Sequence, residues 1–112
     1  MKITIKSTNL DLIPSLRTYI ENKLSILARL VKKFETEGEA DLRIEVARTT
    51  QHHHKGEVFM AEVNFHLSGR TLRATETSND IRRAIDIVKH KLHLEIEKFK
   101  EKRLPIRGKI KK

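Results

Sequence analysis

The sequence predicts an α+β fold of element order β-α-β-β-β-α: a two-layer sandwich in which a four-stranded sheet carries two helices packed on one face. Three observations lead there. Four short segments place apolar residues at every second position, the period of a strand with one buried face. Two longer segments place them at three- and four-residue spacing, the period of an amphipathic helix. No segment is apolar all round, so strands and helices have to cover one another, and a sheet with both helices on a single face achieves this economically. The 112 residues make one domain of ordinary size.

Residues 1–7 alternate, with Ile3 and Ile5 on one side and Lys2, Thr4 and Lys6 on the other, a half-buried strand. Pro14 suits the first turn of a helix, where a missing N–H costs nothing. Leu16, Tyr19, Ile20, Leu24, Leu27, Leu30, Val31 and Phe34 then form a helical stripe over 14–34, which the polar stretch 35–41 with Gly38 ends. Leu42, Ile44 and Val46 mark a second strand over 41–49. A loop over 50–57 holds His52, His53, His54 and Gly56.

Strict alternation returns over 58–67 with Phe59, Ala61, Val63, Phe65 and Leu67. Ser68-Gly69 is a tight turn, and 71–76 brings Leu72 and Ala74 back on one face, which makes a hairpin. Thr77 followed three positions later by Asp80 fits the capping box of a helix start, and Asp80 faces the positive end of the helix dipole. Ile81, Ala84, Ile85, Val88, Leu92, Ile96 and Phe99 define one long stripe. Pro105 stops this helix at about residue 103. The domain is thus expected over 1–103, with 104–112 a short basic tail expected to be mobile.

The formal net charge is +9, and it is unevenly spread. Residues 79–112 hold twelve Lys/Arg against five Asp/Glu, an excess of seven; residues 1–78 hold twelve against ten, an excess of two. Concentrated positive charge is what a polyanion-binding face requires, although a solvated surface that serves only solubility has the same composition. No apolar run approaches the length of a membrane span, and the N-terminus lacks the layout of a signal peptide. The absence of cysteine rules out a disulfide framework and a thiolate metal site. Cytoplasmic location is the expectation.

On a helix turning about 100° per residue, Lys91, Lys98 and Lys102 fall on one line along the border of the apolar stripe. Arg82, Lys89 and Lys100 line the opposite border, while Asp86, His90, Glu97 and Glu101 are expected toward the back. Lys23 is placed inside the stripe of the first helix, where an ammonium needs a partner or an escape to water. Arg29 lies on the outer face of that helix. Lysine stems routinely cover the margin of a core with their charged ends in water. Three in line, with the other margin also basic, point further, to phosphate contacts.

Three segments carry a resemblance: the opening KITIKSTNLDLIPSLRTYIENKLSIL, the hairpin GRTLRATE and, above all, NDIRRAIDIVKHKLHLEIEKFKEK. In these the sequence resembles the ribosome hibernation promoting factor and protein Y family, also known as ribosome-associated translation inhibitors or ribosomal subunit interface proteins. Asp80, Ala84, Ile85, Asp86, Lys91, Leu92, Lys98 and Lys102 carry the pattern, which covers nearly the whole domain. Arg82 stands where the family often has an aromatic, and Ile26 and Leu94 replace two of its usual basic residues. The resemblance implies a β-α-β-β-β-α domain that docks on the small ribosomal subunit near the decoding region. There it fills space that mRNA and tRNA need, under stress or in stationary phase. Lys23, Lys91, Lys98 and Lys102 coincide with basic positions of the family, and Arg29 fits another. The likeness is to a short form without an additional C-terminal domain.

The expected interface is therefore Lys23, Arg29, Arg82, Lys89, Lys91, Lys98, Lys100 and Lys102, with rRNA of the small subunit as partner. A monomer away from the ribosome, no small-molecule substrate and no cofactor are expected. Catalysis is not expected either, for the chain has no Gly-rich phosphate loop, no GxSxG and no nucleophile beside a base. His52, His53 and His54, with Glu57, Glu62 and His66, are the nearest approach to a metal-binding set. Adjacent residues of an extended segment point in alternate directions and do not converge on one ion, so no metal is expected. Two other readings remain: a generic double-stranded RNA-binding module, and a basic adaptor for an acidic protein.

Overall fold

The structure, a computed structural model, describes residues 2–32, 40–49, 58–67 and 69–103, the last three for their backbone alone. Its elements are β1 (Lys2–Thr8), α1 (Pro14–Val31), β2 (Ala40–Arg48), β3 (Phe59–Leu67), β4 (Arg70–Ser78) and α2 (Ile81–Arg103). The expected order and layer arrangement are those observed. The histidine loop and the basic tail lie outside the described residues.

The strands lie in the order β1-β2-β3-β4. β1 and β2 are parallel, with Ile3 opposite Leu42 and Ile5 opposite Ile44; a parallel pair needs a crossover, which α1 supplies. The β2–β3 and β3–β4 pairs are antiparallel. Leu67 opposite Arg70 leaves Ser68-Gly69 as the hairpin connection, and Gly69 takes φ +78°, a conformation open to glycine at little cost.

The alternating sets of β2 and β3 and the two helical stripes meet in one apolar cluster, which places both helices on the same sheet face. Phe65, Ile20, Leu24, Leu42, Ile85 and Leu92 are among its largest fully buried side chains. Edge strand β1 is covered less: Ile5 is half-buried and Ile3 is exposed. The other sheet face is polar. On it Thr8 Oγ1 donates to Glu45 Oε2 at 2.8 Å, and Arg73 Nε donates to Asn64 Oδ1 at 2.8 Å.

Two element ends, those of α1 and β4, differ from expectation by more than one residue. α1 ends at Val31, and Phe34 lies outside the described residues. α2 is capped by Asp80 itself, not through a box opened by Thr77. Asp80 Oδ1 accepts the Arg82 N–H at 3.0 Å, and its carbonyl accepts the Ala84 N–H at 3.0 Å. The cause is the length of β4, which continues through Ser78 and so keeps Thr77 in the ladder.

Candidate nucleic-acid interface

A straight helix of 23 residues cannot present two borders of one stripe to the same neighbour. The residues at 81, 84, 85, 88, 92, 96 and 99 point α2 into the core, so its two basic borders turn to opposite sides. One faces α1, the other faces the outer edge of β4.

The α1 side is built around Tyr19 and Asp86. Asp86 Oδ1 accepts the Tyr19 hydroxyl at 2.6 Å and stands 3.3 Å from Lys23 Nζ. Lys23 Nζ is 5.1 Å from the centre of the Tyr19 ring, and the Arg82 guanidinium is 5.3 Å from it. Arg82 also donates to Ser15 Oγ at 3.4 Å. Partners rise together along the two helices, Ser15 with Arg82, Tyr19 with Arg82 and Asp86, Lys23 with Asp86, so α1 and α2 run side by side in the same direction. Lys23, placed by its spacing inside an apolar stripe, thus sits at the seam with a carboxylate and a ring as neighbours, its side chain 31% exposed. Lys89 and Lys100 continue this border, half-buried and without an ion-pair partner among the described residues.

The β4 side holds the second line. Lys91 Nζ lies 2.6 Å from Glu76 Oε1 and donates to the Thr75 carbonyl at 3.2 Å. Lys98, whose side chain is 74% exposed, stands 3.8 Å from Glu95. Between strand and helix runs a shallow cleft of about 520 Å³ lined by Arg73, Thr75, Lys91, Leu94 and Lys98 among others. Lys102 is in the last turn of α2, where the backbone alone is described. Arg29 is exposed on α1, with no partner among the described residues.

The expected separation of lysines at the margin from acids at the back is corrected here. Asp86, expected toward the back, lies in the seam, because α1 packs against that side of α2 and brings Tyr19 and Lys23 to it; Glu95 stands three residues before Lys98 on the other border. Three side chains not foreseen as part of the site are Tyr19, Glu76 and Asp86. Two signals in the sequence bear on them: a lysine inside an apolar stripe needs either a partner or an escape to water, and position 76 shares the inward register of Leu72 and Ala74 on β4. Such ion pairs at partly exposed positions contribute about 0–1 kcal/mol each, so they leave the cations available to a stronger anion. Among the described residues no group of His, Cys, Asp and Glu could hold a metal ion, and no helix is long and apolar enough to cross a membrane.

Tyr19 provides a direct reading of the seam. Its hydrogen bond to Asp86, then partial burial and the charge of that carboxylate, push the phenol up from 10.0 to about 12, against the opposing charge of Arg82. The sign follows: the protonated phenol stabilises the fold fully below pH 10, and this contribution is lost as pH rises through 12. Tyr19 is the chain's single tyrosine and there is no tryptophan, so phenolate absorbance reports it alone. A titration midpoint near 12 is expected, falling toward 10 in Asp86→Asn; a midpoint near 10 in the unmodified protein would exclude the seam described here.

Residues 3–104 match the family described as Sigma 54 modulation protein / S30EA ribosomal protein. A ribosome hibernation promotion factor of Picosynechococcus sp. is 31% identical over 103 residues, covering 91% of this chain and 50% of that protein. A second, from Lactococcus lactis, is 31% identical over 100 residues, 89% of this chain and 50% of that protein. The chain therefore spans about half the length of these two curated relatives. The crystal structure of the Thermus thermophilus Protein Y N-terminal domain superposes with a TM-score of 0.68 at 26% identity, over 88% of this chain and 99% of that one.

Proposed function

The chain belongs to the Sigma 54 modulation protein / S30EA ribosomal protein family, and from that premise we propose that it is a ribosome-associated translation inhibitor, a hibernation factor acting in the cytoplasm. It binds rRNA of the small subunit near the decoding region and occupies space that mRNA and tRNA require. It acts by occupancy and not by a catalysed reaction.

The observation that carries the reading is the basic pair of borders on one rigid helix, α2, locked to α1 through Tyr19 and Asp86. Each lysine or arginine that replaces a counterion condensed on the phosphate backbone gains the entropy of ion release. Double-helical RNA exposes mainly phosphates and 2′-hydroxyls, which a rigid cationic surface reads by shape. The one aromatic in the seam, Tyr19, is engaged by Asp86, Lys23 and Arg82, so the helices offer no stacking platform for unpaired bases.

The test is sedimentation of a lysate through sucrose gradients at low and high salt. The chain is expected to travel with small subunits or whole ribosomes at low salt. With four to six phosphate contacts, affinity falls about 10²–10³-fold between 50 and 200 mM salt. Equal binding to any long RNA duplex would instead indicate a generic double-stranded RNA binder. Binding to neither would indicate an adaptor for an acidic protein.

A further inference from the structure

Two of the interface lysines are held closely by a carboxylate from another element in the free protein, one on each side of α2: Lys91 with Glu76 and Lys23 with Asp86; Lys98 has a looser pair with Glu95 of its own helix, at 3.8 Å. In each carboxylate one oxygen faces the lysine, and the other, Glu76 Oε2 or Asp86 Oδ2, has no partner among the described residues. Both pairs reach solvent, with side-chain exposures of 49% and 29% for Lys91 and Glu76, and 31% and 47% for Lys23 and Asp86.

A carboxylate beside a phosphate-binding lysine works against a bare polyanion. Two anions a few ångströms apart repel, which offsets much of the attraction of the lysine. The repulsion is relieved when the ligand brings a hydrogen-bond donor next to its phosphate. RNA carries one on every ribose, the 2′-hydroxyl, and DNA does not. An O–H donated to a carboxylate is a short, charge-assisted bond. The ammonium of Lys91 uses one donor on Glu76 and one on the Thr75 carbonyl, which leaves a third for phosphate.

We propose that Glu76 and Asp86 are specificity-determining residues: each lysine–carboxylate pair takes a phosphate on the lysine and the neighbouring 2′-hydroxyl on the carboxylate, so the surface selects ribose over deoxyribose backbone. The proposal rests on the RNA-binding reading above and assigns its chemistry. Lys89, half-buried on the α1 side with no carboxylate partner among the described residues, reads phosphate alone.

The test compares binding of the full chain to an RNA hairpin and to the same hairpin with 2′-fluoro riboses, which keeps the phosphates and the A-form shape but removes the donor. The unmodified protein is expected to prefer the hydroxyl hairpin by about tenfold. Glu76→Met removes both charge and acceptor: it binds the fluoro hairpin more tightly than the unmodified protein does, and the preference shrinks by about threefold. Glu76→Gln retains an acceptor and keeps an intermediate preference. Lys89→Gln weakens both hairpins equally and leaves the ratio intact. Equal affinity of the unmodified protein for the two hairpins, no binding to either, or a preference untouched by Glu76→Met overturns the proposal. Failure of the ribosome reading appears separately, as absence of the chain from the ribosomal fractions of the gradient.

Discussion

A variant carrying Lys91→Glu, Lys98→Glu and Lys102→Glu together is expected to lose ribosome association altogether while still unfolding cooperatively. The three positions follow one border of α2, the side that faces β4. Replacing them removes about three counterion-releasing contacts and sets three anions against the phosphates, where like-charge juxtaposition costs several kcal/mol. The fold pays far less. Lys98 is mostly solvent-exposed and its pair with Glu95 is loose at 3.8 Å. Lys91→Glu does face Glu76, which stands 2.6 Å from the present ammonium, so a local repulsion of about 1 kcal/mol is expected. Adding Glu76→Lys to the triple variant restores that pair and should recover stability without restoring full binding. The measurement is inhibition of a cell-free translation reaction. If the triple variant inhibits at the dose of the unmodified protein, these lysines are not the interface. The matching variant of the other border, Arg82→Glu, Lys89→Glu and Lys100→Glu, tells whether the seam side contributes equally.

Leu92→Ala should have the largest effect on stability. Leu92 is 0% exposed and lies on α2 next to Lys91, between the two basic borders. Truncation removes buried apolar contacts and leaves a cavity, at a cost of about 3 kcal/mol, equivalent to a fall in melting midpoint of roughly 15 °C. Urea unfolding should show a lower midpoint with an unchanged slope. Ribosome binding at low temperature should survive, since the lysines themselves are intact and a bound partner stabilises the folded form by mass action. A loss below about 1 kcal/mol would mean that α2 is not docked on the sheet as described. The two variants thus separate charge from scaffold: one abolishes binding and spares the fold, the other weakens the fold and spares the charges.

Much of this scaffold was legible from residue order alone, for a local reason. Period two in 58–67 and period 3.6 from Ile81 to Phe99 are imposed by backbone geometry, and each pattern needs only its own segment to be read. Pro14 at the first turn of α1 and the Gly69 turn are equally local. Boundaries were less secure where a neighbour intervened. β4 runs on to Ser78 because β3 still offers Phe59 as a partner, and that pairing moved the cap of α2 to Asp80.

The sequence by itself determined the elements, their order, the buried faces and the concentration of positive charge in the last third of the chain. It also placed Lys23 inside an apolar stripe, where an ammonium needs a partner or an escape to water. Which partner, and which way each basic border faces, was decided by the tertiary structure. Tyr19 and Asp86 meet across 67 residues, and Lys91 and Glu76 across 15. Such pairs exist only once α2 has settled between α1 and the edge of β4. Periodicity fixes the angle of a side chain around its own helix axis; what stands opposite that angle is set by packing, because burial of the common apolar cluster fixes how the helix is rotated against its neighbours.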